Sequence, residues 1–333
     1  MAKLWINKSS KQKAETPKGV ISPPVSYETL IEAYYGNPYH ASCIDVKASN
    51  VIGNGFKDRA IADILSKMSL GDSIFSLLEK TVRDLLIFGN AFWETPKDEV
   101  YQIPAWTMYR TEKGWEQRVG KDKEIYDPEE VWHFRRDSML SSFYGTPDYL
   151  SILPSLDLMR TITSYNSNFF ENNAIPDFAI VVEGGTLSPQ AESSIQRFMR
   201  SKFRGTENAH KTLYLPVPEG VKVRFEKLQA ESMKDMQFLE LRKACIGEII
   251  SCHGVPPRLM GIMVPGELGG GGETSGERDI FFQTRIKPLQ NSFCGQLDAF
   301  FLARLGRTTD IELESFDYSE NTGDLVLKAL KGN

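Results

Sequence analysis

The chain is poor in cysteine and histidine and carries no surplus of positive charge. Its four cysteines, Cys43, Cys245, Cys252 and Cys294, lie far apart and form no CxxC pair, which excludes the disulfide framework of a small secreted domain. A cytosolic setting is expected. No run approaches the roughly 20 apolar residues of a membrane span. The opening MAKLWINKSSKQK lacks the long apolar centre of a signal peptide, so neither leader nor membrane anchor is expected. With 39 Lys and Arg against 44 Asp and Glu, the formal net charge is -5, which argues against a surface built to neutralise many phosphates. Any contact with DNA should therefore be loose.

Motifs that carry chemistry are missing too. The glycine-rich stretch GIMVPGELGGGGETSGE invites a phosphate-cradle reading, but a P-loop needs GxxxxGK[ST]. No lysine follows these glycines, and Glu267, Glu273 and Glu277 would repel phosphate. Neither GxSxG nor HExxH occurs. Cys245, Cys252 and His253 are close in sequence, yet the cysteines are two helical turns apart and His253 lies about 100° round from Cys252, so they read as thiols in a core and a helix-end histidine. When protonated, that histidine would suit the helix C-terminus. His40, His133 and His210 have no ligand-spaced partners. Glu129 and Glu130, in DPEE, read as a solvated turn. KGWEQRVGKDKE reads as a solvated hairpin, because its acids nearly cancel its bases. The expectation is a protein that is not an enzyme, with no catalytic residue, metal or cofactor.

What is present is an alternation of amphipathic helices and short strands. Residues 7–24 are polar, Lys-rich and interrupted by proline, and are expected to form a flexible arm over residues 1–25. Helices are expected on either side of Gly36, Asn37 and Pro38, then from Asp72 to Phe88 with a stop at Gly89. Short aromatic runs between Ala91 and Phe134 predict a small antiparallel sheet with its aromatics in the core. Thr146 and Pro147 read as the cap and first residue of a long helix whose stripe is Leu158, Ile162, Tyr165 and Phe169, with Pro154 kinking its first turns. FAIVVEGG, a short helix near Pro189 to Phe203, KTLYLPV and VKVRFEKL form an α+β insert. A second long helix, from about Gln229 to His253, carries Met236, Leu239, Ile246 and Ile250 on one face. After the glycine-rich loop a third long helix contains Pro288, a second expected kink. A strand candidate, IELESF, and a weak helix follow.

Several of these segments resemble the portal proteins of tailed bacteriophages, in particular the P2- and PBSX-like group of the HK97-type portal family. SPPVSYETLIEAYYGNPYHASCIDVKASNVIG resembles the family's opening and FGNAFWE its next helix-strand junction. YGTPDYLS, with the helix ending FFENNAIPDF, resembles its central motif, and HGVPPRLMGI and RIKPLQ follow in the family's order. The resemblance covers residues 22 to 300. It implies an α+β portal fold with an α/β wing, long stem helices, a small α+β clip and a short or absent crown. The implied boundaries are wing 26–145, first stem helix 146–172, clip 173–228 and second stem helix 229–261. A tunnel loop at 262–277, a long wing helix at 278–306 and the wing end with a vestigial crown at 307–333 complete the chain. The loop residues are Met263, Val264, Pro265, Gly266, Glu267, Leu268, Gly269, Gly270, Gly271, Gly272, Glu273, Thr274, Ser275 and Gly276.

By the same resemblance, the partners are further copies of the chain in a ring, a dodecamer, at one capsid vertex of the virion, assembled in the bacterial host cytoplasm. Double-stranded DNA would pass through without sequence specificity. The large terminase, head-completion or adaptor proteins, scaffold and major capsid protein would dock on the ring. A portal of a domesticated prophage or gene-transfer particle is the alternative, with a metal-dependent nuclease a distant third.

Overall fold

The break expected at Gly36, Asn37 and Pro38 is present in the computed structural model, and one side chain makes it. Asn37 ends helix α1 (Tyr27–Gly36) and begins α2 (Pro38–Ile52): its side-chain oxygen accepts from the backbone N–H groups of Tyr39 and His40 at 3.0 and 3.1 Å. Pro38 sits in the first turn, where its missing N–H leaves nothing unpaired. After the two-residue strand β1 (Gly55–Phe56), Asp58 caps α3 (Arg59–Met68) and Ser73 caps α4 (Ile74–Phe88). Gly89, at φ +73°, ends α4 in the left-handed conformation that glycine adopts without a steric penalty, and its N–H bonds to Leu85 at 3.0 Å. The structure describes residues 19–172, 178–183, 185, 189–190, 193, 222–227, 231–262 and 271–316.

The expected sheet is two sheets. In one, β2 (Asn90–Glu94) lies between β3 (Tyr101–Ile103) and β7 (Val131–Arg135). The other is the meander β4 (Met108–Arg110), β5 (Trp115–Val119) and β6 (Asp122–Tyr126), and all neighbours are antiparallel. Phe92, Trp93, Val100, Ile103, Val131 and Phe134 are buried, as their spacing predicts. Trp93 is the centre of this core. Its indole N–H donates to Thr81 Oγ1 at 2.7 Å, and its ring meets Phe134 and Phe300 edge-on at 4.6 and 5.3 Å. Glu129 and Glu130 lie in an exposed turn in which Glu130 accepts from the Asp127 N–H at 2.8 Å.

Helix α5 (Leu153–Asn172) and the antiparallel pair β8 (Phe178–Glu183) and β9 (Lys222–Lys227) follow, then α6 (Glu231–His253). A helical stretch then runs through α7 (Gly271–Phe281), a π-helical turn (Phe282–Ile286) and α8 (Lys287–Leu305). Residues 311–316 return so that β10 (Leu313–Glu314) pairs with β1. The chain divides into two compact units, 1–156 with 246–333, and 157–245. In the first, α8 buries Phe293, Leu297, Phe300 and Phe301, and Gln290 donates to the Val51 carbonyl at 2.9 Å. Helix α8 therefore completes a core begun by the first hundred residues.

Five expectations need correcting. The helix expected from Thr146 starts at Leu153, after a 3-10 turn at Leu150–Ile152, because residues 144–149 are held by tertiary contacts instead. Asn90 brackets Gly145 by accepting from its N–H at 2.7 Å and donating to its carbonyl at 3.1 Å, and the Tyr149 hydroxyl donates to Ile87 at 2.7 Å. Pro154 consequently falls in the first turn of α5, where no helical acceptor waits for its N–H, and needs no kink. Pro288 does perturb its helix, but through the widened turn just before it, which relieves the clash between the ring and the carbonyl four residues back. The arm ends earlier than residue 25. Ile21 bridges to Arg110, its N–H donating at 2.7 Å, and its carbonyl accepts from Tyr144 at 2.8 Å, while residues 1–18 lie outside the described residues.

The fifth correction concerns the glycine-rich loop. Residues 263–270 lie outside the described residues, whereas Gly271, Gly272, Glu273, Thr274, Ser275 and Gly276 form the start of α7. The helix therefore begins before Arg278. Helix growth is cooperative, and each residue added to an existing helix costs far less than a new nucleus, so a helix formed over the turns that follow extends into glycines that would not nucleate alone.

Candidate functional site

The two helices expected to form a stem run antiparallel. Within the first unit Ser155 donates to Glu248, and Ser151 Oγ lies 3.9 Å from Cys252 Sγ. Within the second, the rings of Tyr165 and Phe238 are 5.3 Å apart. In the first unit a step of four residues into α5, from Ser151 to Ser155, is matched by a retreat of four along α6, from Cys252 to Glu248.

The expected stripes are only partly buried within the chain. On α5 the buried positions are Leu156, Met159 and Ile162, a face rotated from the expected one. Leu158 and Tyr165 are exposed, and Phe169 lies outside the residues whose side chains are described. On α6 the buried positions are Cys245, Ile249 and His253, with Ile246 and Ile250 half-buried. Leu239 and Leu241 are exposed, and the Met236 side chain is outside the described set. Leu239 is 52% exposed, which for a leucine on a regular helix leaves apolar surface that the single chain does not cover. Charged pairs lie close by: Arg160 with Asp157 at 2.8 Å and Lys243 with Glu240 at 2.9 Å.

The C-terminal end of α6 is tied to α2 by a contact that the sequence did not reveal. His253 Nε2 and His40 Nδ1 are 2.9 Å apart, and both rings are buried. Tyr149 packs edge-on against His40 at 4.3 Å. Beside them Lys47, only 2% exposed, and Arg136 converge on Asp148 at 3.0 and 3.3 Å. Burial pulls His40 down to about 4 and His253 down to about 3, with the Lys47 ammonium adding to the effect in both. Burial alone would raise Asp148, but Lys47 and Arg136 outweigh it and hold the carboxyl at about 2. Burial likewise draws Lys47 below its ordinary range, against the pull of Asp148. His253 is accordingly neutral in the fold and does not act as a charged helix cap. His40, which has no ligand-spaced partner in the sequence, meets His253 from 213 residues away.

Cys43 and His133 are held by packing, and His210 lies outside the described residues. Cys43 Sγ packs 3.3 Å from Met260 Sδ, and His133 stacks on Phe92 at 4.4 Å while Nε2 bonds to Asn90 Oδ1 at 2.9 Å. Among the described residues no group of three or more His, Cys, Asp or Glu is placed to hold a metal ion. No described helix is long and apolar enough to cross a membrane. Most of the expected tunnel loop falls at 263–270 and lies outside the described residues.

Residues 43–323 match the family model described as phage portal protein. The chain is 27% identical over 282 residues to the probable portal protein of Escherichia phage P2, covering 81% of this chain and 77% of the relative. It is 23% identical over 282 residues to the probable portal protein of Haemophilus phage HP1, covering 80% and 78%. Among solved structures, a chain in the neck of a native gene transfer agent particle, computed with C12 symmetry, superposes with a TM-score of 0.68 at 21% identity over 94% of this chain and 89% of that one. That likeness is one of fold.

Proposed function

The chain belongs to the phage portal protein family, and from that premise we propose that twelve copies form a ring whose central channel passes double-stranded DNA during packaging and ejection. A portal subunit is a structural component of the capsid and not an enzyme, in keeping with a sequence in which every motif considered lacks a required part. The observation that carries the reading is the family match over residues 43–323. In this assignment α5 and α6 are the stem, the β8–β9 unit belongs to the clip, and the sheets with α8 belong to the wing. Residues 263–270, with the first turn of α7 after them, are the segment facing the channel. The ring sits at one capsid vertex of the particle and docks the terminase and head-completion proteins. The C12 symmetry of the gene transfer agent neck supports the copy number, and equally supports a portal of such a particle. The genes next to this one distinguish a phage from a domesticated relative.

Exposed Leu158, Leu239 and Leu241 support the ring, because a stem helix in a ring has neighbours on both sides to cover such residues. Native mass measurement and negative-stain images of the purified protein should give a closed ring with a central hole. The double variant Leu239→Glu with Leu241→Glu should shift it to smaller species while the circular dichroism of the subunit is kept. A monodisperse wild-type monomer would sink the reading.

A duplex that slides cannot be gripped. Each phosphate neutralised by Lys or Arg releases counterions and deepens the bound state, so an acidic channel protein should bind weakly. At physiological salt, fluorescence anisotropy with a short duplex is expected to give a dissociation constant no tighter than about 10⁻⁶ M. Nanomolar binding that resists salt would contradict passive transit.

A further inference from the structure

We propose that the buried hydrogen bond between His40 and His253 is a proton-sensitive latch: it fixes the end of α6 to α2, and it opens when both imidazoles take up a proton. The donor count requires this behaviour. Nδ1 of His40 and Nε2 of His253 share one proton across 2.9 Å, while His40 Nε2 and His253 Nδ1 are buried with no protein partner. Whichever ring donates, one outer N–H and one outer lone pair stay unpaired, so the pair is held at a cost even when neutral.

A first proton leaves the bond intact, because an imidazolium still donates to a neutral imidazole. A second places N–H against N–H and removes it. The surroundings oppose both steps. Every element packed here has a charged or titratable group: Lys47 and Cys43 on α2, Arg136 after β7, Asp148 and Tyr149 in the turn before α5, Cys252 on α6 and Arg285 in the π-helical turn. Lys47, Arg136 and Arg285 are cations, and only Asp148 is an anion that offsets them. Gly254, at φ +65°, follows directly, and the Arg285 side chain fills the space a Cβ would need, so the exit from α6 is shaped by the same cluster. The 3-10 turn Pro257–Met260 then leads to Ile262.

The sign follows from linkage. Both histidines bind protons less readily when latched than when released, so the latch is intact above the ordinary value of 6.5 and weakens as pH falls toward about 4 and about 3. Asp148, at about 2, does not titrate in that window. Buried Asp84, lifted by burial to about 7, works with the opposite sign, because it holds its proton more tightly when folded. Any connection to the channel rests on the channel-facing assignment of residues 263–270 above. The latch itself does not.

The test is hydrogen exchange read by mass spectrometry on the full-length assembly between pH 8 and 5, corrected for intrinsic rates. Opening of peptides spanning residues 249–262 should rise about tenfold or more between pH 6.5 and 5, since each proton taken up contributes up to tenfold per pH unit. Peptides from β7 report His133 separately. The variant His40→Asn with His253→Gln places amide groups where the bonding nitrogens stood and should flatten the profile. A step that survives in this variant, or a flat wild-type profile, overturns the proposal. Should the double variant not fold, the wild-type profile decides alone. Ring formation at pH 8 is an independent readout, so loss of the latch and loss of the portal assignment give different results.

Discussion

Gly145→Ala is expected to abolish soluble, folded protein. A Cβ at Gly145 would overlap the carbonyl oxygen of Gly89 and lie 2.7 Å from both the backbone nitrogen and oxygen of Arg136. Gly89 answers in kind, since a Cβ there would sit 2.6 Å from the Thr146 nitrogen. The neighbours cannot yield, because they are backbone and are tied down: Arg136 N–H donates to Gly89 at 2.9 Å and Asn90 grips both ends of the Gly145 peptide. Relief means moving β2, β7 or the 144–149 turn as a whole, a cost above about 4 kcal/mol for one methyl group. Gly295→Ala on α8 is the control. Open space surrounds it, so alanine should be neutral or stabilise by up to about 1 kcal/mol. Soluble yield and thermal denaturation of the two variants check both, and a Gly145→Ala protein that melts like the wild type would refute the docking argument.

Trp93→Ala should be the most damaging change that still leaves a refoldable chain. The side chain is fully buried, contacts Phe134 and Phe300, and donates to Thr81. Truncation leaves a large cavity and a hydroxyl that loses its donor, for a loss of about 3–5 kcal/mol. A domain holds only about 5–15 kcal/mol in total, so this is a large share. Trp93→Phe keeps the ring contacts and forfeits the hydrogen bond, and should cost about 1–2 kcal/mol. Thermal or urea denaturation of the three proteins should rank them in that order. If Phe and Ala cost the same, the hydrogen bond and not the packing would be the dominant contribution.

The glycine contact explains why short motifs were legible. FGN and YGT, which carried part of the family resemblance, are the two sides of one backbone-to-backbone contact. Gly89 and Gly145 leave room for the approach, and Asn90 bonds across it. Thr146 and Pro147 misled for the same reason. They have the composition of a helix start, but that turn is held by Asn90 and Tyr149, and α5 begins only at Leu153. The stem stripes were readable as apolar rows. Which of their residues the chain covers, Ile162 but not Leu158 or Tyr165, depended on the partner helix.

The sequence by itself determined what acts over a few residues. The break at Asn37 between two helices, Gly89 as a stop and the aromatic runs as buried strands all follow from groups within one helical turn or one strand pitch of each other. It also determined the low positive charge and the absence of complete catalytic motifs. Only the tertiary structure decided that His40 meets His253, that Lys47 is buried against Asp148, and that residues 311–316 return to β1. Those contacts join residues one hundred or more positions apart. No local periodicity encodes such a distance. It is set by how α2, α6 and the 144–149 turn pack together, and that packing belongs to the whole chain.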